Sequence, residues 1–271
     1  MTRDPRPTKR TFPTQLLPRR LRLTIGYTGT RFAGWARQEP GRTRGRPTLQ
    51  GTLEDALQGV LGHTVHVIAA GRTDAGVHAE GQVVSFDTTA SIPVEGLRRA
   101  LSTRIPDDVW IVEAAEAPVG FNARRSARRR WYRYAVYQGE SPPAEWRGRC
   151  LLHSRSLDTA AMRFASRSLL GHHDMAAFAG GLGRKARQQR STVRTVYVAD
   201  WLEISEELFV FEVCADAFLR QMVRAMVGSL LWVGQGRWTP NQFSASIRSA
   251  DRRAAGPTAP AVGLTLWKIE Y

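Results

Sequence analysis

The apolar residues of this chain spell one order of elements twice, and few folds satisfy that order. Leu21, Leu23, Ile25 and Tyr27 alternate with Arg22, Thr24 and Gly26, the two-residue period of a strand with one covered face. Leu49, Leu53, Leu57 and Leu61 then recur at helical spacing, and Gly62 supplies the stop. Strand-like segments follow at 64–70 and 82–87, then a helix at about 94–103 and a strand at 109–112. The second half repeats this order. A strand at 131–137 leads to a helix at 157–170 that begins at Ser156 and ends before Gly171. Strands at about 193–204 and 207–214, a helix at 218–233 and a last strand at 262–270 complete it. The halves share element order rather than residue identity.

The order β-α-β-β-α-β is that of the split βαβ unit, the ferredoxin-like arrangement. RNA-recognition (RRM) modules use the same order, with the sheet as a platform for bases. The expected fold is therefore α+β, with two ferredoxin-like, RRM-like halves. Their sheets would join into one continuous, mostly antiparallel sheet, with a basic cleft between the halves. The expected boundaries are a flexible basic tail over 1–20, a first half over 21–120 and a second half over 121–271.

Charge narrows the partner. Lys and Arg total 39 against 24 Asp and Glu, a formal net charge of +15. Such an excess suits a polyanion, and arginine in particular suits bidentate phosphate contacts and stacking on bases. The longest apolar stretch, 222–233, is interrupted by Arg224 and falls short of the roughly 18 residues of a membrane span. The basic N-terminus lacks the apolar core of a secretory signal. Cys150 and Cys214 form no CxxC and read as reduced thiols. A cytoplasmic protein that uses no membrane is expected.

Four stretches carry candidate chemistry. Gly71-Arg72-Thr73-Asp74-Ala75-Gly76-Val77-His78 places one carboxylate, Asp74, on a glycine-rich loop between two apolar segments. A lone acid in a basic cleft points to chemistry rather than grip. On a helical wheel Arg224 shares a stripe with Val227 and Leu231, which implies partial burial and a counter-charge, and Asp74 is the acid chosen for it. In 121–134 six arginines, Arg124 among them, interleave with aromatic residues, and Tyr132 is the tyrosine nearer the arginine run. That mixture suits phosphates and unpaired bases. Tyr134 reads as core. Gly180 to Arg190, with Arg184 and Lys185, reads as a loop gripping RNA backbone, since no GxxxxGK[ST] pattern is present. His172-His173-Asp174 reads as structural, and no metal site is expected.

These residues resemble the tRNA pseudouridine synthase A (TruA) family. The resemblance rests on 71–83, on the Tyr27-Thr28-Gly29-Thr30-Arg31-Phe32-Ala33-Gly34-Trp35 opening, and on Phe121-Asn122-Ala123-Arg124 followed by Tyr132-Arg133-Tyr134. Phe218-Leu219-Arg220-Gln221-Met222-Val223-Arg224 and Gly263-Leu264 extend it. It implies a homodimer with tRNA lying across both subunits, and isomerisation of uridine to pseudouridine at positions 38, 39 and 40 of the anticodon stem-loop. It implies no cofactor and no metal. Under it Asp74 is the catalytic aspartate, Tyr132 stacks on the target uracil, and Arg224 pairs with Asp74. Arg72 helps hold the flipped nucleotide. Arg124, Arg220, Arg184 and Lys185 are the expected RNA contacts. Two rival readings are a nucleoside hydrolase, which would release free uracil, and a non-catalytic tRNA-binding or folding module.

Overall fold

The computed structural model describes residues 18–39, 41–181 and 191–271. Residues 1–17 of the basic tail, and Arg184 and Lys185, lie outside the described residues.

The first half opens with β1 (Arg19–Tyr27), so two residues assigned to the tail are strand. Helix α1 (Leu49–Leu61) follows, with Gly51 N–H donating to the Thr48 hydroxyl at its start and Gly62 left-handed at φ 75° at its end. Strand β2 (Ile68–Ala69), β3 (His78–Thr88), α2 (Val94–Ser102) and β4 (Val109–Glu116) complete it. Only two residues of the 64–70 segment pair as strand, whereas β3 is longer than its apolar core suggested.

The second half runs through β5 (Arg129–Gln138), β6 (Leu151–His153), α3 (Thr159–Ser166) and β7 (Gly171–Asp174). Strands β8 (Val193–Glu203) and β9 (Leu208–Ala215), helices α4 (Met222–Gly234) and α5 (Pro240–Ser249), and β10 (Leu264–Glu270) follow. Three expectations are corrected here. Helix α3 is capped by Asp158 rather than Ser156, and its last turn tightens into a 3-10 turn over Arg167–Leu169. Helix α4 begins at Met222 rather than at Phe218, because Gln221 is left-handed at φ 59°. Gly180 N–H donates to Arg220 O at 2.8 Å, holding the preceding turn. Helix α5 was not anticipated, although Thr239 and Gln242 form a capping box with Pro240 in the first turn.

Among the described residues the strands form one sheet in the order β4-β1-β3-β10-β5-β9-β8-β7, with β2 also on β3 and β6 on β5. Its pairs are antiparallel except β10 on β3 and β6 on β5. β10 pairs antiparallel with β5 and parallel with β3, through Thr265–His78 and Leu266–Ala79. Short β2 covers β3 only at Val84 and Ser85, which leaves the His78 end open for β10. The last strand therefore joins the two halves and brings the chain's C-terminal part against the start of β3. A single core runs through both halves, including Leu23, Ile25, Leu53, Leu57 and Phe86 from one and Trp201, Phe211, Met226, Leu230 and Phe243 from the other. Burial of this apolar surface is the main force holding the halves together.

Candidate active site

Asp74 lies in the loop between β2 and β3. The loop is fixed from three sides. Trp35 N–H donates to Thr73 O at 3.0 Å, and the Tyr27 and Thr73 hydroxyls lie 2.9 Å apart. The Gln82 side chain clasps Gly71, its Nε2 donating to Gly71 O at 2.7 Å while its Oε1 accepts from Gly71 N–H at 3.4 Å. Gly29 is required by contact, since a Cβ there would stand 1.9 Å from Val77 O. Burial holds the Tyr27 phenol above its ordinary range, so it stays a neutral hydrogen-bonding group.

Arg224 reaches this loop from α4. Its Nη1 donates to Asp74 Oδ2 at 3.0 Å, and its Nε donates to Ala259 O at 2.7 Å. The two side chains are 15% and 28% exposed, so the pair is shielded yet open to a ligand on the acid's side. The segment that carries Ala259 lies directly on α4. Gly228 permits this approach, because a Cβ there would stand 1.8 Å from Pro257 O. Ser229 Oγ accepts from Gly256 N–H at 2.8 Å and Tyr134 Oη donates to Pro260 O at 2.8 Å. Tyr134, fully buried, is thus a core residue that also orients the Arg224 support.

Tyr132 is buried and meets Phe218 edge to face, with ring centroids 5.0 Å apart. A Cβ on Gly71 would stand 3.7 Å from its hydroxyl, so the phenol reaches the base of the Asp74 loop. Burial pushes its pKa up to about 12, with nearby Arg130 opposing and Asp74 adding to the rise.

Asp74, Tyr132, Arg224, Arg72, Arg124 and Arg220 all line one cleft of about 1210 Å³. Arg72, Arg124 and Arg220 are exposed in it. Its described lining contains nine arginines and a single carboxylate, Asp74. The arginines of β5 do not share one face. Arg129 and Arg133 turn to the other face of β5, where Arg133 pairs with Glu212 at 2.6 Å and stacks on Trp267, and Arg129 lies over Tyr197. Strand alternation makes this so, since Arg129 and Arg133 share a parity opposite to Tyr132. Sequence reasoning passed over Arg42, Arg44 and Arg46 in the loop before α1, Arg194 on β8, and Phe218 as a ring neighbour of Tyr132. The three loop arginines carried a signal, a basic Gly/Pro-rich segment, whereas Phe218 was hidden by the helix expected there. Among the described residues no group of His, Cys, Asp and Glu could hold a metal ion, and both cysteines are buried free thiols. His172 and His173 instead bond Thr195 and the Leu170 carbonyl. Among the described residues no helix is long and apolar enough to cross a membrane.

The arrangement offers one oriented carboxylate, a cation that fixes it, an aromatic wall and a surround of arginines. That suits bond-making at a sugar or base of a bound polyanion. A sequence profile described as tRNA pseudouridine synthase matches residues 24–124 and 165–271. A protein named tRNA pseudouridine synthase A from Chloroflexus aurantiacus is 43% identical over 256 residues, covering 93% of this chain and 89% of its own length. Proteins of the same name from Moorella thermoacetica and an Exiguobacterium species are 41% and 39% identical, each match covering 93% of this chain and 99% and 98% of the relative.

Proposed function

The chain belongs to the tRNA pseudouridine synthase family, and on that premise we propose that its cleft takes the anticodon stem-loop of tRNA and isomerises uridine at positions 38, 39 and 40. The observation that carries this reading is the Asp74–Arg224 pair at 3.0 Å, in which Asp74 is the single acid among the described residues lining an arginine-rich cleft. The reaction breaks the bond from C1′ to N1, turns the uracil and joins C1′ to C5. One proton leaves C5 and one is gained at N1, so the step balances without oxidant, reductant or cofactor. A stacked base hides these atoms, so the nucleotide flips out at a cost of a few kcal/mol, offset by binding energy from the basic cleft.

Asp74 is the catalytic carboxylate, acting on the flipped nucleotide in its ionised form while Arg224 fixes its orientation. Tyr132, backed by Phe218, forms one wall against which the uracil is kept while it turns. Arg72, exposed at the mouth of the loop, holds the flipped nucleotide's backbone. Arg124, Arg220, Arg184 and Lys185 contact the RNA further out. A homodimer with tRNA across both subunits, working in the cytoplasm, is supported by the family resemblance.

The test is release of tritium from tRNA labelled at uridine C5, comparing the wild type with Asp74→Asn. Release by the wild type alone, with no free uracil and tRNA affinity kept within a few fold in the variant, is the expected result. Free uracil would instead mark a hydrolase. No release from a folded protein that binds tRNA would mark a binding module.

A further inference from the structure

Arg130 lies on β5, on the same face as Tyr132 and two residues before it. A guanidinium has five N–H donors in a fixed fork. Here each has a main-chain acceptor. Nε and Nη2 donate to Ala70 O, both at 3.3 Å. Nη2 also donates to Arg124 O at 2.8 Å. Nη1 donates to Asp216 O at 2.6 Å and, at 3.5 Å, to Ala127 O. Among the described residues Arg130 forms no ion pair. Asp216 is close, but its carboxylate accepts from Thr195 N–H at 3.2 Å and Ala217 N–H at 2.6 Å.

Those carbonyls come from three separate segments, and each segment carries part of the site. Ala70 immediately precedes the loop that holds Arg72 and Asp74. Arg124 and Ala127 belong to the basic turn before β5. Asp216 immediately precedes the turn with Phe218 and Arg220, which leads into α4 and Arg224. A phosphate would find the fork already occupied. A lysine in its place would offer three donors from a point and could not span the same carbonyls.

We propose that Arg130 is a positioning residue that ties these three segments together, setting Asp74, Arg224 and the Tyr132–Phe218 wall relative to one another, and that it does not bind RNA phosphate. The proposal rests on the reading of Asp74 as the reacting carboxylate. Arg130 acts on the reaction only through the groups it holds.

Arg130→Ala should lower kcat about 100-fold, the cost of roughly 1 Å misplacement, with tRNA Kd changed less than about threefold. The salt slope of binding should stay at its wild-type value. Free guanidinium ion at sub-denaturing concentration should refill the carbonyl cage and restore part of kcat, whereas ammonium at equal ionic strength should not. A rise in Kd matching the fall in kcat, with a shallower salt slope, would make Arg130 a phosphate contact and overturn the proposal. So would an unchanged kcat. If the variant does not fold, or the wild type shows no tritium release, phenylglyoxal mapping of the wild-type protein decides. Arg130 should resist modification while exposed Arg72 reacts, and equal rates would overturn the cage. Loss of wild-type activity alone removes the functional reading and leaves the cage standing.

Discussion

Arg224 Nη1 lies 3.0 Å from Asp74 Oδ2 across 150 residues of sequence, and this contact joins the two halves within the arginine-lined cleft. It makes the stability of the fold and the orientation of the acid one problem. Removing either partner leaves the other partly buried and unpaired.

Arg224→Ala should therefore destabilise the protein as well as inactivate it. Loss of a buried partner costs about 3–5 kcal/mol, and partial exposure of Asp74 reduces this to about 1–3 kcal/mol. A urea titration reads it directly. A midpoint equal to that of the wild type would place Arg224 outside the fold's support.

Gly228 is the hinge of the Arg224 support. Gly228→Ala drives a Cβ into Pro257 O and should cost about 1–3 kcal/mol through overpacking. It should also lower activity by shifting Ala259 away from Arg224 Nε. Gly59→Ala is the control, since a Cβ there meets nothing nearer than Arg104 Cδ at 3.9 Å. That exposed helical position should gain about 0.5–1 kcal/mol. Equal melting shifts for the two variants would contradict the packing account.

His78 imposes a pH dependence. It is fully buried, accepts from Gly29 N–H at 3.3 Å through Nδ1 and donates to Val262 O at 3.1 Å through Nε2. Burial lowers its pKa to about 4, helped by Arg149 and opposed by the Val262 carbonyl and Glu80. The unfolded chain then binds a proton that the folded chain excludes between about pH 6.5 and 4. Its contribution is complete above pH 6.5, declines as pH falls, and is gone near pH 4, a change on the order of 3 kcal/mol. Urea unfolding at pH 7 and pH 5 should show less of this decline in His78→Gln. An identical decline would assign it to other groups.

Affinity for tRNA should fall steeply with salt, because arginines of the cleft displace counterions from phosphates. Filter binding across a salt series measures the slope. A flat response would remove the case for phosphate contacts in the cleft.

The residues alone carried the doubled element order, because periods of 2 and 3.6 are local properties of side chains. They also carried α1 to its end residues, since Leu49 to Leu61 repeats cleanly and Gly62 adopts the left-handed stop. The pairing of Arg224 with Asp74 was legible because a cation on an apolar stripe demands an acid, and Asp74 is the carboxylate of the glycine-rich loop. Helix α5 was legible too, through its capping box, and was passed over.

Other features had no local signature. Phe218 to Gln221 are ordinary helix formers, and the segment at Gly180, which bonds Arg220 O and packs against Gln221, holds them in a turn outside α4. The place of β10 between the halves depends on β2 being too short to cover β3, a property of pairing rather than composition. Arg130 looked like one arginine of six, and its distinction is a cage of backbone carbonyls. Every residue type carries the same carbonyl, so such a cage leaves no trace in the sequence. The sequence determined which local elements could form and which side chains needed partners. The tertiary structure decided which main-chain groups met, because that depends on where distant segments pack.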